Sequence, residues 1–467
     1  MTTVTTLVSE LGAVVGAANV HLPELGELED GTRWSGVRGT ADAVVRPSDA
    51  QGVADAVRWC YDHDVAMTVR GGGTGLSGGA VPDGGVVISM ERLNKVRTLD
   101  PEWWRCEVEA GVTTAELQRR VREVGLRYPP DPGSAASSHI GGNLATNAGG
   151  PHAFGHGVTR AWVLGLEAVL APGELVTIGG PTRKDVAGYD LTSLLVGSEG
   201  TLGVITAAWL RLIPPPTAEQ LVIGLFPSVD AAQDGIAGAL TCGAVPVSVE
   251  LLDGGALQDA GATLPVPGAA SEWASLPDPT GAVLLFANLE GDLVEATAAR
   301  GDALVDAWRE AGATWTAVPE PATASALGEW RANISGAVAA RRGGKLSEDV
   351  AVPTDRLAEL LRGSEAIAAA HGLEHAAWGH AGDGNMHCTY LFDPTDQARL
   401  DRANAAADDL FGLAISLGGT VSGEHGLGRL KTGYLRAQWD PAAVAAHEAI
   451  KAALDPKGLF NPGRKTP

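Results

Sequence analysis

The chain is short of basic residues. It carries 34 Lys and Arg against 56 Asp and Glu, a formal net charge of −22 over 467 residues. That deficit works against non-specific nucleic-acid binding and against docking on an anionic membrane surface, because both need cationic patches to meet phosphate. Cysteine is scarce as well. Cys60, Cys106, Cys242 and Cys388 stand far apart, with no CxxC pair among them. This spacing writes neither a zinc ribbon nor an iron–sulfur cluster, so four reduced thiols are expected. No apolar run reaches the ~18 residues of a transmembrane helix. The opening MTTVTTLVSELGAVVGAANV has no basic segment ahead of its apolar stretch, so a secretory signal is not expected. These absences point to a soluble, acidic, cytoplasmic protein.

Glycine is what the chain has in excess. Its 62 residues are near twice the usual ~7% share, and they cluster, as in loops shaped around ligands. A hydrophobic fraction of 45% is ample for sizeable cores, and the length predicts two or three domains. Residues 1–40 read as a helical lead-in. Strand and helix patterns then alternate, with Asp49 and Thr113 as expected N-caps. VAMTVR is a strand running into a glycine loop, and GGVVISM and CEVEAGV are further strands. Pro129 to Gly157 reads as glycine-rich and helix-poor. VLGLEAVLAPGELV reads as a hairpin turning at Pro172-Gly173. GVITAAWLRLIPPP is a strand ending in Pro214, Pro215 and Pro216, which mark a boundary. Residues 217–410 have the texture of an α+β domain with an antiparallel sheet. Residues 411–467 form a C-terminal segment in which Asn461 and Arg464 are placed to return to the first domain.

The glycine loop is VRGGGTGLSGGAVP, Val69 to Pro82. Consecutive glycines let backbone N–H groups converge on an anion, and Thr74 and Ser77 add hydroxyl donors. A Walker loop would end in Gly-Lys-Ser/Thr, but here Gly75 is followed by Leu76. A dinucleotide fingerprint would open a helix and carry an acidic residue ~20 positions on, whereas this loop runs into AVPDGGVVISM. The anion is therefore left unnamed by the loop alone, and Arg70 is open to a structural reading.

A second constellation lies far downstream. WGHAGDGNMHC places His380 and His387 on either side of a tight turn, which brings both imidazoles to one side. GGTVSGEHGLGRLK adds Glu424 and His425 in another glycine-rich loop. Two imidazoles and a carboxylate suit zinc, manganese or iron(II). The alternative is a scatter of structural histidines, which is how His371 and His375 read. In WRANISGAVAARRGGKLSEDV, Arg331 and Ser335 are four apart, on one face of a helix. Arg331 suits a bidentate carboxylate contact and Lys345 adds a charge, with solvated surface charge as the alternative.

Two further tracts give the pattern a family. PPDPGSAASSHIGGNLATNAGG (129–150) and KDVAGYDLTSLLVGSEGTLGVIT (184–206), taken with the glycine loop, GHAGDGNMH and SGEHGLG, closely resemble one flavoprotein superfamily. It is the vanillyl-alcohol oxidase / p-cresol methylhydroxylase superfamily, in its branch of glycolate oxidase subunits and D-2-hydroxyacid dehydrogenases. The resemblance runs from about Ala41 to the C-terminus. It implies an α+β fold of the p-cresol methylhydroxylase type. An FAD-binding domain would span 41–216, an antiparallel-sheet substrate (cap) domain 217–410, and a C-terminal segment 411–467 would return to the flavin.

The resemblance implies that the loop holds the FAD pyrophosphate through Arg70, Gly71, Gly72, Gly73, Thr74, Gly75, Leu76 and Ser77. Pro130, Gly133, Ser138, Gly141, Gly142, Asn143 and Thr146 would line the flavin, joined by Gly200, Ile205 and Asn461. Thr74 stands where some relatives tether FAD through a histidine, so the FAD is expected to be non-covalent. His139 and His156 depart from the family pattern. The same likeness implies His380, His387 and Glu424 as ligands of a divalent metal, zinc or manganese, with His425 as base and Arg331, Ser335 and Lys345 at the substrate. The implied reaction oxidises a D-2-hydroxy acid, D-lactate or a glycolate-like acid, and passes electrons to an external protein, quinone or oxygen. D-2-hydroxyglutarate is the alternative substrate, and a non-catalytic electron-transfer subunit is the alternative of another class. Thr389 replaces an asparagine frequent in relatives acting on 2-hydroxyglutarate. A homodimer and a peripheral position at the membrane, through the acceptor, remain compatible with this reading.

Overall fold

The computed structural model describes residues 4–32 and 36–467. Positions 1–3 and 33–35 of the expected lead-in lie outside the described residues. The chain forms two compact units: residues 1–150, 157–215 and 424–467 make the first, and residues 151–156 and 216–423 the second.

The first unit holds two sheets. One contains β1 (Val20–His21), β2 (Ala43–Val45), β3 (Met67–Arg70) and β4 (Val86–Ser89), in the order β1-β2-β4-β3. β4 pairs parallel with β2 and β3. Parallel strands are covered on both faces, and the run Val86–Val87–Ile88 is accordingly buried throughout. The helix Ala50–Asp62 makes the crossover from β2 to β3. The Asp49 carboxylate caps it, accepting from the Gly52 N–H at 2.9 Å. Among the described residues the lead-in carries the α-helix Val4–Val15 and short 3-10 turns at Ala17–Asn19 and Leu25–Glu27. Its Leu7 and Leu11 share a core with Val53 and Val57 of the crossover helix, and Gly16, at φ 91°, turns the chain into β1 at the sheet edge.

The other sheet is antiparallel: β5 (Val96–Asp100), β6 (Arg105–Glu109), β7 (Val163–Leu170), β8 (Glu174–Gly179) and β9 (Val204–Arg211), in the order β5-β6-β9-β7-β8. β7 and β8 are the hairpin that turns through Pro172-Gly173. Thr113 caps the helix Thr114–Glu123, its hydroxyl accepting from the Glu116 N–H at 3.2 Å. The tract expected to be helix-poor carries a helix, Ile140–Thr146. Glycine disfavours helix by propensity, but here it permits close packing: a Cβ on Gly141 would lie 2.7 Å from the Ala110 Cβ. Ile140 and Leu144 of that helix enter the same core as Val108, Leu166 and Ile205.

The second unit is built on one antiparallel sheet of seven strands. These are β10 (Ala218–Phe226), β11 (Ser248–Asp253), β12 (Val283–Gly291), β13 (Trp315–Ala317), β14 (Gly344–Ala351), β15 (Glu374–His380) and β16 (Asn385–Phe392), ordered β13-β10-β12-β11-β15-β16-β14. β15 and β16 form a hairpin with Trp378 opposite His387 and His380 opposite Asn385. Side chains alternate between faces with period two, so β11, β15 and β16 place Glu250, His380 and His387 on one face. Arg331 and Ser335 are not on one helix, as their spacing suggests. The chain breaks at Asn333 between helices Pro321–Ala332 and Ile334–Ala340.

Candidate active site

In the first unit the tracts expected at the flavin converge. A Cβ on Gly72 would strike the Ser137 carbonyl, and one on Gly71 would lie 3.3 Å from the Gly142 N–H nitrogen. The glycine loop thus lies directly on the segment Ser137–Gly142. Gly200 stands at φ 70°, and a Cβ there would meet the Asn461 amide at 2.8 Å. Asn461 ties the pieces together: its Oδ1 accepts from the Val69 N–H at 2.8 Å and its Nδ2 donates to the Glu199 carbonyl at 2.6 Å. At Gly142 a Cβ would meet nothing within 4 Å, so this backbone borders open space. The His139 Nδ1 nearby is buried without a hydrogen-bond partner, and burial lowers the imidazole's pKa. A bare glycine backbone on both sides and an unpaired ring nitrogen fit an FAD.

Several residues expected to touch the cofactor are instead engaged with the protein. Arg70 donates to the carbonyls of Glu29 (2.8 Å), Gly26 (2.6 Å) and Ala80 (3.4 Å), which shapes the loop. The Ser77 hydroxyl is no free anion donor, because it donates to the His425 carbonyl at 3.0 Å. Ser138 and Asn143 are buried around Thr114, at 2.9 and 2.6 Å from its Oγ1. The Thr146 hydroxyl donates to the Gly142 carbonyl at 3.1 Å, and the Pro130 carbonyl accepts from Gln118 at 3.0 Å. Ile205 is a core residue, Gly133 faces open space and Leu76 is exposed. Gly73 is needed for a reason other than ligand approach. Its φ of 66° is left-handed, and a Cβ would strike the Arg70 guanidinium. Gly73→Asp is therefore expected to yield protein without flavin, read as the ratio of flavin to protein absorbance; full occupancy would contradict this role for the loop.

The same unit positions His425. The Glu199 carboxylate, buried beside the left-handed Gly200, accepts from the N–H groups of Leu427 (3.0 Å) and Gly428 (2.7 Å). Ser77 grips the loop from the other side, its carbonyl accepting from the Arg429 N–H at 2.9 Å. The His425 imidazole stands 3.6 Å from the Glu424 carboxylate. The loop is thus held through its backbone.

In the second unit His380 and His387 stand with ring centroids 5.6 Å apart and planes at 84°. The His380 Nδ1 meets the Glu250 carboxylate at 2.5 Å, which turns its Nε2 outward. A carboxylate behind a ligating imidazole fixes the tautomer and raises its basicity. Burial pushes the Glu250 carboxyl up, but His380 and Arg331 more than offset this and hold it below the ordinary range. Glu250 was not singled out from sequence; its signal is an acid inside the apolar strand SVELLD. Glu424 follows directly on Gly423, and its carboxylate completes the set. One ligand atom from each of His380, His387 and Glu424 lies within 4.8 Å of the others. Two imidazoles and one carboxylate, backed by a buried glutamate, fit a divalent cation.

Arg331 is occupied differently than expected. Its Nε donates to Glu250 at 2.8 Å, and its Nη2 makes a charge contact with the same oxygen at 2.6 Å, outside hydrogen-bonding direction. The Lys345 ammonium donates to the Ser335 hydroxyl and lies 4.8 Å from the Trp378 ring centre. Burial lowers its pKa to about 8. The Thr389 hydroxyl is fully buried against Ser347 at 2.8 Å. His371 and His375 belong to other contacts, with Asp409 at 2.8 Å and with Ser364 at 2.9 Å. His156 pairs with Glu290 at 2.9 Å. Among the described residues all four cysteines are free thiols, and no helix is long and apolar enough to cross a membrane.

Comparison with known proteins gives this arrangement its class. A profile described as "FAD linked oxidases, C-terminal domain" matches residues 215–464, and one described as "FAD binding domain" matches residues 41–179. The chain belongs to the FAD-linked oxidases and is an FAD-dependent oxidoreductase. It is 37% identical over 434 residues to the glycolate oxidase subunit GlcD of Bacillus subtilis (strain 168), covering 91% of this chain and 88% of that protein. It is 32% identical to a D-lactate dehydrogenase of Archaeoglobus fulgidus, over 90% of each. The structure of p-cresol methylhydroxylase with substrate bound shares the fold at a TM-score of 0.78 and 19% identity, covering 98% of this chain and 96% of that one.

Proposed function

We propose that the protein oxidises a short D-2-hydroxy acid, D-lactate or a glycolate-like acid, to the 2-oxo acid. The observation that carries this reading is the set His380, His387 and Glu424, with His425 beside Glu424. Support also comes from relatives named for glycolate and D-lactate, both small 2-hydroxy monocarboxylates. FAD, when bound, would supply the hydride acceptor for C2, and a divalent cation, zinc or manganese, would supply the charge that lowers the pKa of the C2 hydroxyl. His380, His387 and Glu424 hold that cation, and Glu250 orients His380. His425 takes the hydroxyl proton on its imidazole nitrogen, a transfer worth ~10²–10⁴ in rate. Ser335 and Lys345 hold the substrate carboxylate, and the Arg331 guanidinium stays paired with Glu250 beside them. The glycine loop and the Ser137–Gly142 backbone hold the flavin without a covalent bond. Electrons leave to an external acceptor, a protein, a quinone or oxygen, and the proposed location is the cytoplasm or the membrane periphery.

Substrate size tests this reading. The Thr389 hydroxyl is spent on Ser347, so the face offers no donor there for a second carboxylate. kcat/KM is expected to be higher for D-lactate than for D-2-hydroxyglutarate, and the reverse order would overturn the assignment. For D-lactate it should fall as pH rises through about 8, where the Lys345 ammonium loses its charge.

A further inference from the structure

We propose that Asn385 supplies a neutral oxygen to the cation held by His380, His387 and Glu424. This rests on the metal reading above and adds a member to its ligand set. Asn385 opens β16 directly opposite His380. Residues so paired share a face, with Cβ atoms ~4.5–5.5 Å apart, and His387 lies two residues further along the same strand on that face. The carboxamide also presses on the chain next to the third ligand, since a Cβ on Gly423, the residue before Glu424, would strike the Asn385 amide. The side chain is therefore bounded by the strand partner of one ligand and the chain neighbour of another. It is only 6% exposed, and its Oδ1 is buried without a hydrogen-bond partner.

Other polar groups on this face are already engaged. Thr389 bonds Ser347, and the Asp349 carboxylate accepts from Ser422 at 3.3 Å. A buried amide oxygen with no donor opposite it has two free lone pairs, which suits a hard divalent cation. Its neutrality matters to the reaction. With one carboxylate in the set the cation keeps net positive charge, which draws an anionic hydroxy acid and acidifies its hydroxyl. A second carboxylate would bind the ion more tightly and blunt both effects.

The FAD-bound protein is stripped with a chelator and titrated with Mn²⁺, followed by electron paramagnetic resonance, and with Zn²⁺ against a chromophoric chelator. Asn385→Leu, branched alike but apolar and larger, is expected to weaken both ions by about 10-fold or more. Asn385→Asp is expected to bind both more tightly than wild type while reducing its flavin more slowly with D-lactate. Thermal unfolding reports whether the substituted unit is folded, and if the Leu variant is not, the Asp variant decides alone. Wild-type affinity in the Leu variant, or an Asp variant that binds no more tightly, overturns the role of Asn385 and leaves the three-ligand site standing. A wild-type protein that binds neither ion overturns the metal reading and this inference with it.

Discussion

His425→Ala is expected to slow reduction of the flavin by D-lactate by about 10²-fold or more, with flavin and metal content unchanged. The first half follows from the chemistry. An alcohol is a poor acid at neutral pH, and a hydride leaves C2 readily only as the hydroxyl gives up its proton, so removing the proton acceptor acts on the reductive step. The second half follows from how the loop is held. Ser77 binds the His425 carbonyl, and Glu199 binds the N–H groups of Leu427 and Gly428. These contacts are made to the backbone, so the loop should keep its place when the imidazole is lost. Stopped-flow reduction beside metal analysis checks both halves; an Ala variant that loses metal would make His425 a ligand rather than the base.

His380→Ala and His387→Ala should each lower metal affinity by about 10²-fold or more, because each removes one ligand from a set of three. Activity should fall with metal content. The two variants differ in what they leave behind. His380→Ala strands the buried Glu250 carboxylate with Arg331 as its remaining partner, whereas His387→Ala leaves the Glu250–His380 contact intact. His380→Ala is thus expected to cost stability as well, since a buried charge loses a partner. Metal content by elemental analysis and thermal unfolding separate the two effects. Variants that retain a full equivalent of metal would refute the ligand assignment.

The sequence announces this site where chemistry demands unusual residues close together. His380 and His387 flank a glycine-bearing turn, and a hairpin is the simplest structure such a turn can make. The glycine loop announced itself in the same way. Less visible were contacts made across the fold. Glu250 reaches His380 because β11 and β15 are neighbours in the sheet, and nothing local to SVELLD states that pairing. Arg331 reads as a free clamp because its spacing to Ser335 is helical, yet the chain breaks at Asn333 and the guanidinium turns to Glu250. Ser77 reads as an anion donor because hydroxyls beside glycines often are, but its partner His425 lies far along the chain. The helix Ile140–Thr146 is hidden by its own glycines, of which Gly141 packs on Ala110 and Gly142 borders open space.

Metal-dependent oxidation of D-lactate is tested most directly by anaerobic mixing of the FAD-replete protein with D-lactate, before and after removal of metal. The protein is expected to be yellow, its visible flavin band bleaching rapidly when metal is present and about 10²-fold or more slowly once it is stripped, with recovery on adding back zinc or manganese. Bleaching at the same rate in the stripped protein, or none with D-lactate, glycolate or any other short 2-hydroxy acid, would contradict it.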